Sequence, residues 1–182
     1  MNQKRLFIAV PLEDEAVHQI KDIQLSWKNQ LQLPEETLVP AEKWHLTLHF
    51  LGQADEQLIP RWIAALEPYA KTPSFSIYLN RFLAFPNNDI AKVITLAGSS
   101  GNSPLSHLFF RMKKTVEELK VKVEERVFIP HITLFRGSFL PIQTKINLEK
   151  EQKLSISQFA LYESRNTNGK NHYHVLNRWL LS

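Results

Sequence analysis

The sequence predicts an α+β fold made of two similar lobes that are related by a pseudo-twofold axis. A pattern of His, an apolar residue, Thr and a second apolar residue occurs at residues 45–48 and again 86 residues later, at 131–134. Each copy follows a segment with the apolar periodicity of an amphipathic helix. Because this period is too long for a solenoid, each lobe is expected to contribute one motif strand to a shared cleft.

The two motifs have the alternation of a β-strand, in which successive side chains point to opposite faces. In the first, His45 and Thr47 share one face, and we expect His49 to follow them there. In the second, His131 and Thr133 occupy the matching positions. With seven His and eight Thr in the chain, a shuffled sequence would contain only about 0.06 such motifs. Two copies therefore indicate a function.

The remaining elements of the first half follow from periodicity and from Pro and Gly. A buried strand at 6–10 ends at Pro11 and precedes an acidic helix start and an amphipathic helix to residue 31. The first motif strand ends at Gly52. The second helix contains Pro60, which is tolerated only in a first turn. The predicted elements are strands 6–10, 44–51 and 75–79, with a possible extension at 82–85, and helices 13–31 and 58–69.

In the second half, Ser103 as N-cap and Pro104 at the first helical position predict a helix start. Apolar residues at helical spacing continue this helix to residue 119. A loop is expected at 98–102 and turns at 86–89 and 166–169. The predicted strands are 91–96, 128–135, 154–162 and 173–181.

Length and composition are those of a single folded domain covering residues 1–182, with two intertwined lobes. The absence of cysteine excludes disulfides, thiolate metal sites and a Cys nucleophile, and is consistent with a cytoplasmic protein. The apolar run near the N-terminus is too short for a signal peptide. The formal charge of +4 mildly favours an anionic partner. No long exposed heptad pattern is present, and a monomer is expected.

Two histidines backed by two threonines could hydrolyse an anionic phosphodiester without a metal. One imidazole accepts a proton from the attacking group while the other donates a proton to the leaving oxygen. Thr47 and Thr133 could donate hydrogen bonds to the nonbridging oxygens. Arg136 would add positive charge to the site. Strict alternation, however, puts its side chain on the other face of the strand from Thr133, so it reaches the site only if the strand twists or ends there. No zinc-protease motif, phosphate loop or Ser-nucleophile elbow is present.

Together with the residues that flank them, the two motifs resemble those of a known protein family. The segments 44–52, 128–136 and 161–165, together with the ending Leu-Asn-Arg-Trp at 176–179, resemble the 2H phosphoesterase superfamily. The most similar branch is the RNA 2′,3′-cyclic phosphodiesterases of bacteria and archaea, historically called 2′-5′ RNA ligases. The resemblance implies two antiparallel sheets flanking a central cleft, with helices on the outside. It also implies hydrolysis of an RNA-terminal 2′,3′-cyclic phosphate to a 2′-phosphomonoester, with no cofactor and no metal.

By the same resemblance, His45 would be the proton donor to the leaving 3′-oxygen and His131 the proton acceptor that activates water. Thr47, Thr133 and Arg136 would hold the phosphate. His49 and Phe135, which follow the motifs, are additional candidates for the cleft.

Two alternatives stay open at this point: a phosphodiesterase for small cyclic nucleotides, and a non-catalytic RNA-binding module. Reverse 2′-5′ ligation is also chemically accessible. The segment 138–148 departs from the family because it is short and contains Pro, so one wall of the substrate groove is expected to differ.

Overall fold

The computed structural model describes residues 2–99, 103–121, 127–139, 141–142, 148 and 150–182. Within these residues the chain forms eight strands and three α-helices. In chain order they are β1 (Gln3–Pro11), α1 (Asp14–Leu31), β2 (His45–Asp55), α2 (Ile59–Leu66), β3 (Phe75–Phe85), β4 (Val93–Gly98), α3 (Pro104–Glu118), β5 (His131–Arg136), β6 (Gln152–Ile156), β7 (Gln158–Thr167) and β8 (Lys170–Leu180).

The strands form two four-stranded antiparallel sheets, which confirms the predicted α+β fold. Sheet A has the order β2-β1-β7-β8 and sheet B the order β5-β4-β3-β6. Each motif strand lies at an edge of its sheet, and the two edges contact each other. The units β1-α1-β2 and β4-α3-β5 are therefore equivalent, and they bring the two motifs together between the sheets.

Apolar residues on one face of each sheet join the helices in a common core. From the helices, this core takes Trp27 of α1, Leu66 of α2 and Met112 of α3, all of them buried. The helices also connect the lobes, because α1 contacts β6 of sheet B whereas α3 contacts β2 of sheet A. We call the opposite face of each sheet, which carries the motif histidines, the cleft face.

The third helix begins as its sequence predicts. The hydroxyl oxygen of Ser103 accepts a hydrogen bond from the backbone N–H of Ser106 at 3.1 Å, and Pro104 occupies the first turn. This satisfies one of the N–H groups that a helix start leaves without a partner.

Several strand predictions need correction. The predicted strand 154–162 is two strands in different sheets, because the chain leaves sheet B at Ser157 and enters sheet A. The second motif strand begins at His131, three residues later than predicted. The predicted extension of strand 75–79 to residue 85 is confirmed, since residues 75–85 form β3. Part of the expected loop at 98–102 and most of the shortened segment 138–148 lie outside the described residues.

No helix in the described part of the chain has the length and apolar character needed to cross a membrane.

Candidate active site

The two motif histidines are held by the same local hydrogen bond. Nδ1–H of His45 donates to the backbone carbonyl of Lys43, and Nδ1–H of His131 donates to that of Ile129, both at 2.7 Å. A carbonyl can only accept, so Nδ1 of each ring carries the proton and Nε2 is left for a substrate. Both rings are half-buried, and each can therefore accept or donate a proton through Nε2.

The contact between β2 and β5 brings the two motifs together, and burial shifts the pKa of both histidines. Burial lowers the pKa of His45 from 6.5 to about 4, with smaller contributions from the positive charges of His131 and Arg136. Burial likewise lowers the pKa of His131. Removing an imidazolium from water disfavours its charged form, so both rings are neutral in the free protein at neutral pH. An anionic phosphate placed between them would raise both pKa values again.

The two threonines lie beside the histidines on the cleft face. Thr47 pairs with Ala9 of β1, and Thr133 pairs with Thr95 of β4, which is the equivalent strand of sheet B. Both motif threonines are half-buried. The sequence prediction that His and Thr of each motif share a face is therefore confirmed, and each threonine hydroxyl lies one pleat away from its histidine.

Immediately after each threonine the strand contains a β-bulge. In β2, His49 pairs with Ile8 and Thr47 pairs with Ala9, so Leu48 is an additional residue. In β5, Leu134 is the additional residue at the corresponding position. A bulge shifts the alternation by one residue and turns the following side chains to the opposite face.

The bulge in β5 brings Arg136 to the active site. Arg136 is exposed at the end of the strand, and its charge contributes to the lowered pKa of His45. The structure therefore places Arg136 on the face of Thr133, which strict alternation does not predict. The carbonyl that the bulge leaves unpaired, that of Leu134, accepts hydrogen bonds from Nε2–H of Gln24 at 2.7 Å and from the backbone N–H of Val39 at 2.9 Å.

The same two bulges remove His49 and Phe135 from the cleft, and both expectations were wrong. His49 is 3% exposed, stacks on Phe109 of α3 with ring centroids 4.3 Å apart, and donates Nε2–H to the carbonyl of Phe109 at 2.9 Å. Phe135 is fully buried in the main core. Both side chains follow the additional leucine and point to the core side instead of lining the cleft, and His49 connects its bulge to α3.

The sequence interpretation missed Phe50, which the bulge in β2 moves out of the core. Strict alternation places Phe50 on the apolar face with Leu46 and Leu48, yet it is 63% exposed, with its ring centroid 6.3 Å from that of Phe7 on the cleft face. Phe50 follows Thr47 by three residues, as Arg136 follows Thr133. This equal offset is the signal that could have identified it.

A second unpredicted feature is an aromatic cluster around His45. The imidazole lies 5.1 Å from the ring of Phe7, 6.5 Å from that of Tyr162 and 5.3 Å from that of Tyr173, to which it is nearly perpendicular. His131 has one aromatic neighbour among the described residues, Phe85 at 5.3 Å. The two halves of the site therefore differ: the His45 half is aromatic, and the His131 half carries the arginine.

The donor set indicates acid–base chemistry on an anion. In the described part of the chain, no group of three His, Asp or Glu side chains could hold a metal ion. The site instead combines two imidazoles, two hydroxyls and a guanidinium, which can bind a phosphoryl group and move protons on both sides of it.

Comparisons with known proteins identify the family of the chain. The sequence model of the family described as LigT like Phosphoesterase matches residues 10–95. A Bacillus subtilis protein named RNA 2′,3′-cyclic phosphodiesterase is 30% identical over 71% of this chain and 69% of its own length. One of the same name from Methanocaldococcus jannaschii is 26% identical over 96% of this chain and 99% of its own. The chain belongs to the LigT-like phosphoesterase family.

Solved structures show the same fold. A crystal structure of E. coli LigT complexed with 3′-AMP has a TM-score of 0.81 and 24% identity, covering 100% of this chain and 99% of that one. The resemblance to the 2H phosphoesterases that the motifs predicted is confirmed.

Proposed function

We propose that this chain hydrolyses the 2′,3′-cyclic phosphate at an RNA 3′ end to a 2′-phosphomonoester, without a metal. The observation that carries the proposal is the matched pair of histidines. His45 and His131 have Nδ1 fixed by the same backbone hydrogen bond and Nε2 available in one site. The names of the relatives support cyclic phosphate as the substrate.

In the proposed reaction, water attacks the phosphorus atom and loses a proton to Nε2 of His131. The bond between phosphorus and O3′ breaks, and protonated His45 supplies the proton that O3′ needs. The product has a 2′-phosphate and a 3′-hydroxyl, and exchange with solvent returns both rings to their starting states. The assignment of donor and acceptor follows the resemblance to the family, since the local hydrogen bonds of the two rings are the same.

The remaining groups of the site bind the phosphate. The bulge turns Arg136 to the face of Thr133. From there its guanidinium would contact the nonbridging oxygens with a fixed positive charge and two hydrogen bonds. Thr47 and Thr133 donate to the same oxygens, on which charge increases in the transition state. The bound anion restores the imidazolium form of His45 that burial disfavours.

Phe50 provides a stacking surface for the nucleobase of the terminal nucleotide. It is the exposed aromatic ring at the position that corresponds to Arg136 in the other half. A flat ring can stack on any nucleobase. One bulge therefore presents a phosphate ligand and the other a base ligand.

The same site can in principle run in reverse and join a cyclic phosphate end to a 5′-hydroxyl. Because water is abundant, hydrolysis dominates in solution, and the ligation product is expected only as a minor species.

The test is turnover of an oligonucleotide that ends in a 2′,3′-cyclic phosphate, measured in EDTA, with mass spectrometry and chromatography to identify the product. We expect complete conversion to the 2′-phosphate by the purified chain, and a turnover rate lower by about 10²- to 10⁴-fold for His131→Ala. His18→Ala, which changes an exposed histidine on α1, is the matched control and should be fully active.

Two results would overturn the proposal. Tight RNA binding with no conversion would favour a binding module. Efficient turnover of cyclic mononucleotides with none of the oligonucleotide would favour a small-molecule phosphodiesterase.

A further inference from the structure

We infer that Arg178 of β8 binds the phosphate on the 5′ side of the terminal nucleotide, so that the protein distinguishes an RNA end from a free cyclic nucleoside phosphate. The inference rests on the proposed function and concerns a part of sheet A that the chemistry at the two histidines does not use.

The strand register puts Arg178 in the same row of paired residues as Thr47, which binds the phosphate in the proposed function. Arg178 pairs with Ala160, which pairs with Ala9, which pairs with Thr47. Paired residues lie side by side on the same face, so Arg178 is on the cleft face. With about 4.8 Å between strands, it lies about 14 Å from Thr47 across the sheet. A nucleotide lying over the sheet would span this separation, with its cyclic phosphate at Thr47 and its 5′-phosphate at Arg178.

The rings between these residues are buried: Phe7 is 3% exposed and Tyr162 8% exposed. Ala9 and Ala160 are fully buried in a cluster with Phe7 and Tyr162. Small side chains at these two positions allow the larger rings to pack above them. On the same face Phe50 lies beside this cluster and is 63% exposed. An exposed ring and a cation on one face of a sheet are typical of sites that bind single-stranded nucleic acid.

The cleft face of sheet A is basic next to the first motif. Three successive rows of paired residues there contain two arginines and no carboxylate, and the first carboxylate, Asp55, lies in the next row, paired with Gln3. By contrast, Glu163 lies on the other face and is paired with Lys4 and Arg165. The rows are Thr47, Ala9, Ala160 and Arg178; Phe50, Phe7, Tyr162 and Val175; and Gln53, Arg5, Ser164 and Tyr173.

Arg178 is available for a ligand. It is exposed, and it makes no ion pair or side-chain hydrogen bond with residues 2–99, 103–121, 127–139, 141–142, 148 or 150–182. Its charge acts on the phenol of Tyr162, where it opposes the rise in pKa caused by burial. The guanidinium is therefore near Tyr162 of the buried aromatic cluster, at the side of sheet A away from the histidines.

Three substrates test the inference: a nucleoside 2′,3′-cyclic phosphate, the same compound with a 5′-phosphate, and an oligonucleotide with the same end. Arg178→Met keeps most of the side-chain length and removes the charge. Arg61→Met, on the exposed side of α2, is the control for net charge.

For Arg178→Met we expect KM to rise about tenfold for the two substrates with a 5′-phosphate, with kcat unchanged. The KM of the nucleoside 2′,3′-cyclic phosphate should be unchanged. The slope of log KM against log salt for the oligonucleotide should fall by about 0.7, the value for one phosphate contact on a single strand. Arg61→Met should behave as wild type, and Arg178→Lys should recover part of the loss.

Equal effects of Arg178→Met on all three substrates, or an effect on none, would overturn the inference while wild-type turnover keeps the proposed function intact. Failure of the wild-type chain to hydrolyse any of the three would instead overturn the proposed function itself.

Discussion

Residues 48–50 of β2 and residues 134–136 of β5 have the same backbone geometry and different chemistry. Each begins with an additional leucine in a bulge, continues with a buried ring, His49 or Phe135, and ends with a side chain turned into the cleft. In sheet A that last side chain is Phe50, and in sheet B it is Arg136. A duplicated scaffold can thus divide one substrate between its halves, with the base on one side and the phosphate on the other.

The largest loss of activity is expected from substitution of the motif histidine, which both halves of the site contain. His45→Ala and His131→Ala should each reduce kcat by about 10²- to 10⁴-fold, because each removes a proton-transfer group. Turnover of a cyclic-phosphate oligonucleotide measures the loss, and thermal melting confirms that the variants are folded. His107→Ala, an exposed histidine on α3, should keep full activity. A nearly active His45→Ala or His131→Ala variant would refute the two-histidine mechanism.

Removal of the Arg136 side chain should reduce activity more than removal of the Phe50 side chain. Arg136→Ala is expected to lower kcat by about 10²- to 10³-fold, as removal of a transition-state donor does in other enzymes. Arg136→Lys should recover only part of this, because an ammonium lacks the two-pronged geometry of guanidinium. If Arg136→Ala raised KM alone, the guanidinium would bind the ground state and transition state equally.

Phe50→Ala should lower kcat/KM about tenfold, since stacking of a base on an aromatic ring contributes about 1–3 kcal/mol. Ribose 2′,3′-cyclic phosphate, which has no base, provides the control substrate, and its turnover should be the same in wild type and Phe50→Ala. An equal loss on both substrates would show that Phe50 supports His45 or the bulge rather than a base.

The motif pattern predicted the histidines, the threonines and the α+β class, because alternation and helical periodicity are local properties of the sequence. It did not predict the bulges. Leu48 and Leu134 have the apolar side chains of ordinary strand residues, and the bulges depend on contacts with distant elements, such as the hydrogen bonds from Gln24 and Val39 to the carbonyl of Leu134. The positions of Phe50 and Arg136 follow from these long-range contacts.

For a similar reason the division of residues 154–162 between two sheets was missed. The apolar pattern runs through Ser157 without a Pro or Gly, and only the sheet topology shows that β6 and β7 have different neighbours.

The pH dependence should differ between free and bound protein. Because burial lowers the pKa of both motif histidines, and that of His45 to about 4, kcat/KM should peak below pH 6.5. Since the bound phosphate favours the imidazolium form, kcat should peak at higher pH. An NMR titration of His45 should show the low pKa, and inorganic phosphate should raise it. A pKa for His45 near 6.5 in the free protein would contradict this description.

The smallest effect on catalysis is expected at His49. His49→Ala removes a buried hydrogen bond and a stacked ring that connect β2 to α3. It should lower the free energy of unfolding by about 1–3 kcal/mol, as measured by urea denaturation, and leave kcat/KM nearly unchanged. A loss of activity without a loss of stability would contradict this structural role and indicate that His49 acts in the cleft.

The unequal roles of the two equivalent histidines can be tested most directly with a modified leaving group. In an oligonucleotide whose cyclic phosphate has sulfur in place of the 3′-oxygen, the leaving thiolate has a conjugate acid with a pKa of about 8.5 and does not need a proton donor. His45→Ala should then regain most of the wild-type turnover, whereas His131→Ala should stay inactive because water activation is still required. Recovery of His131→Ala instead of His45→Ala would contradict the assignment.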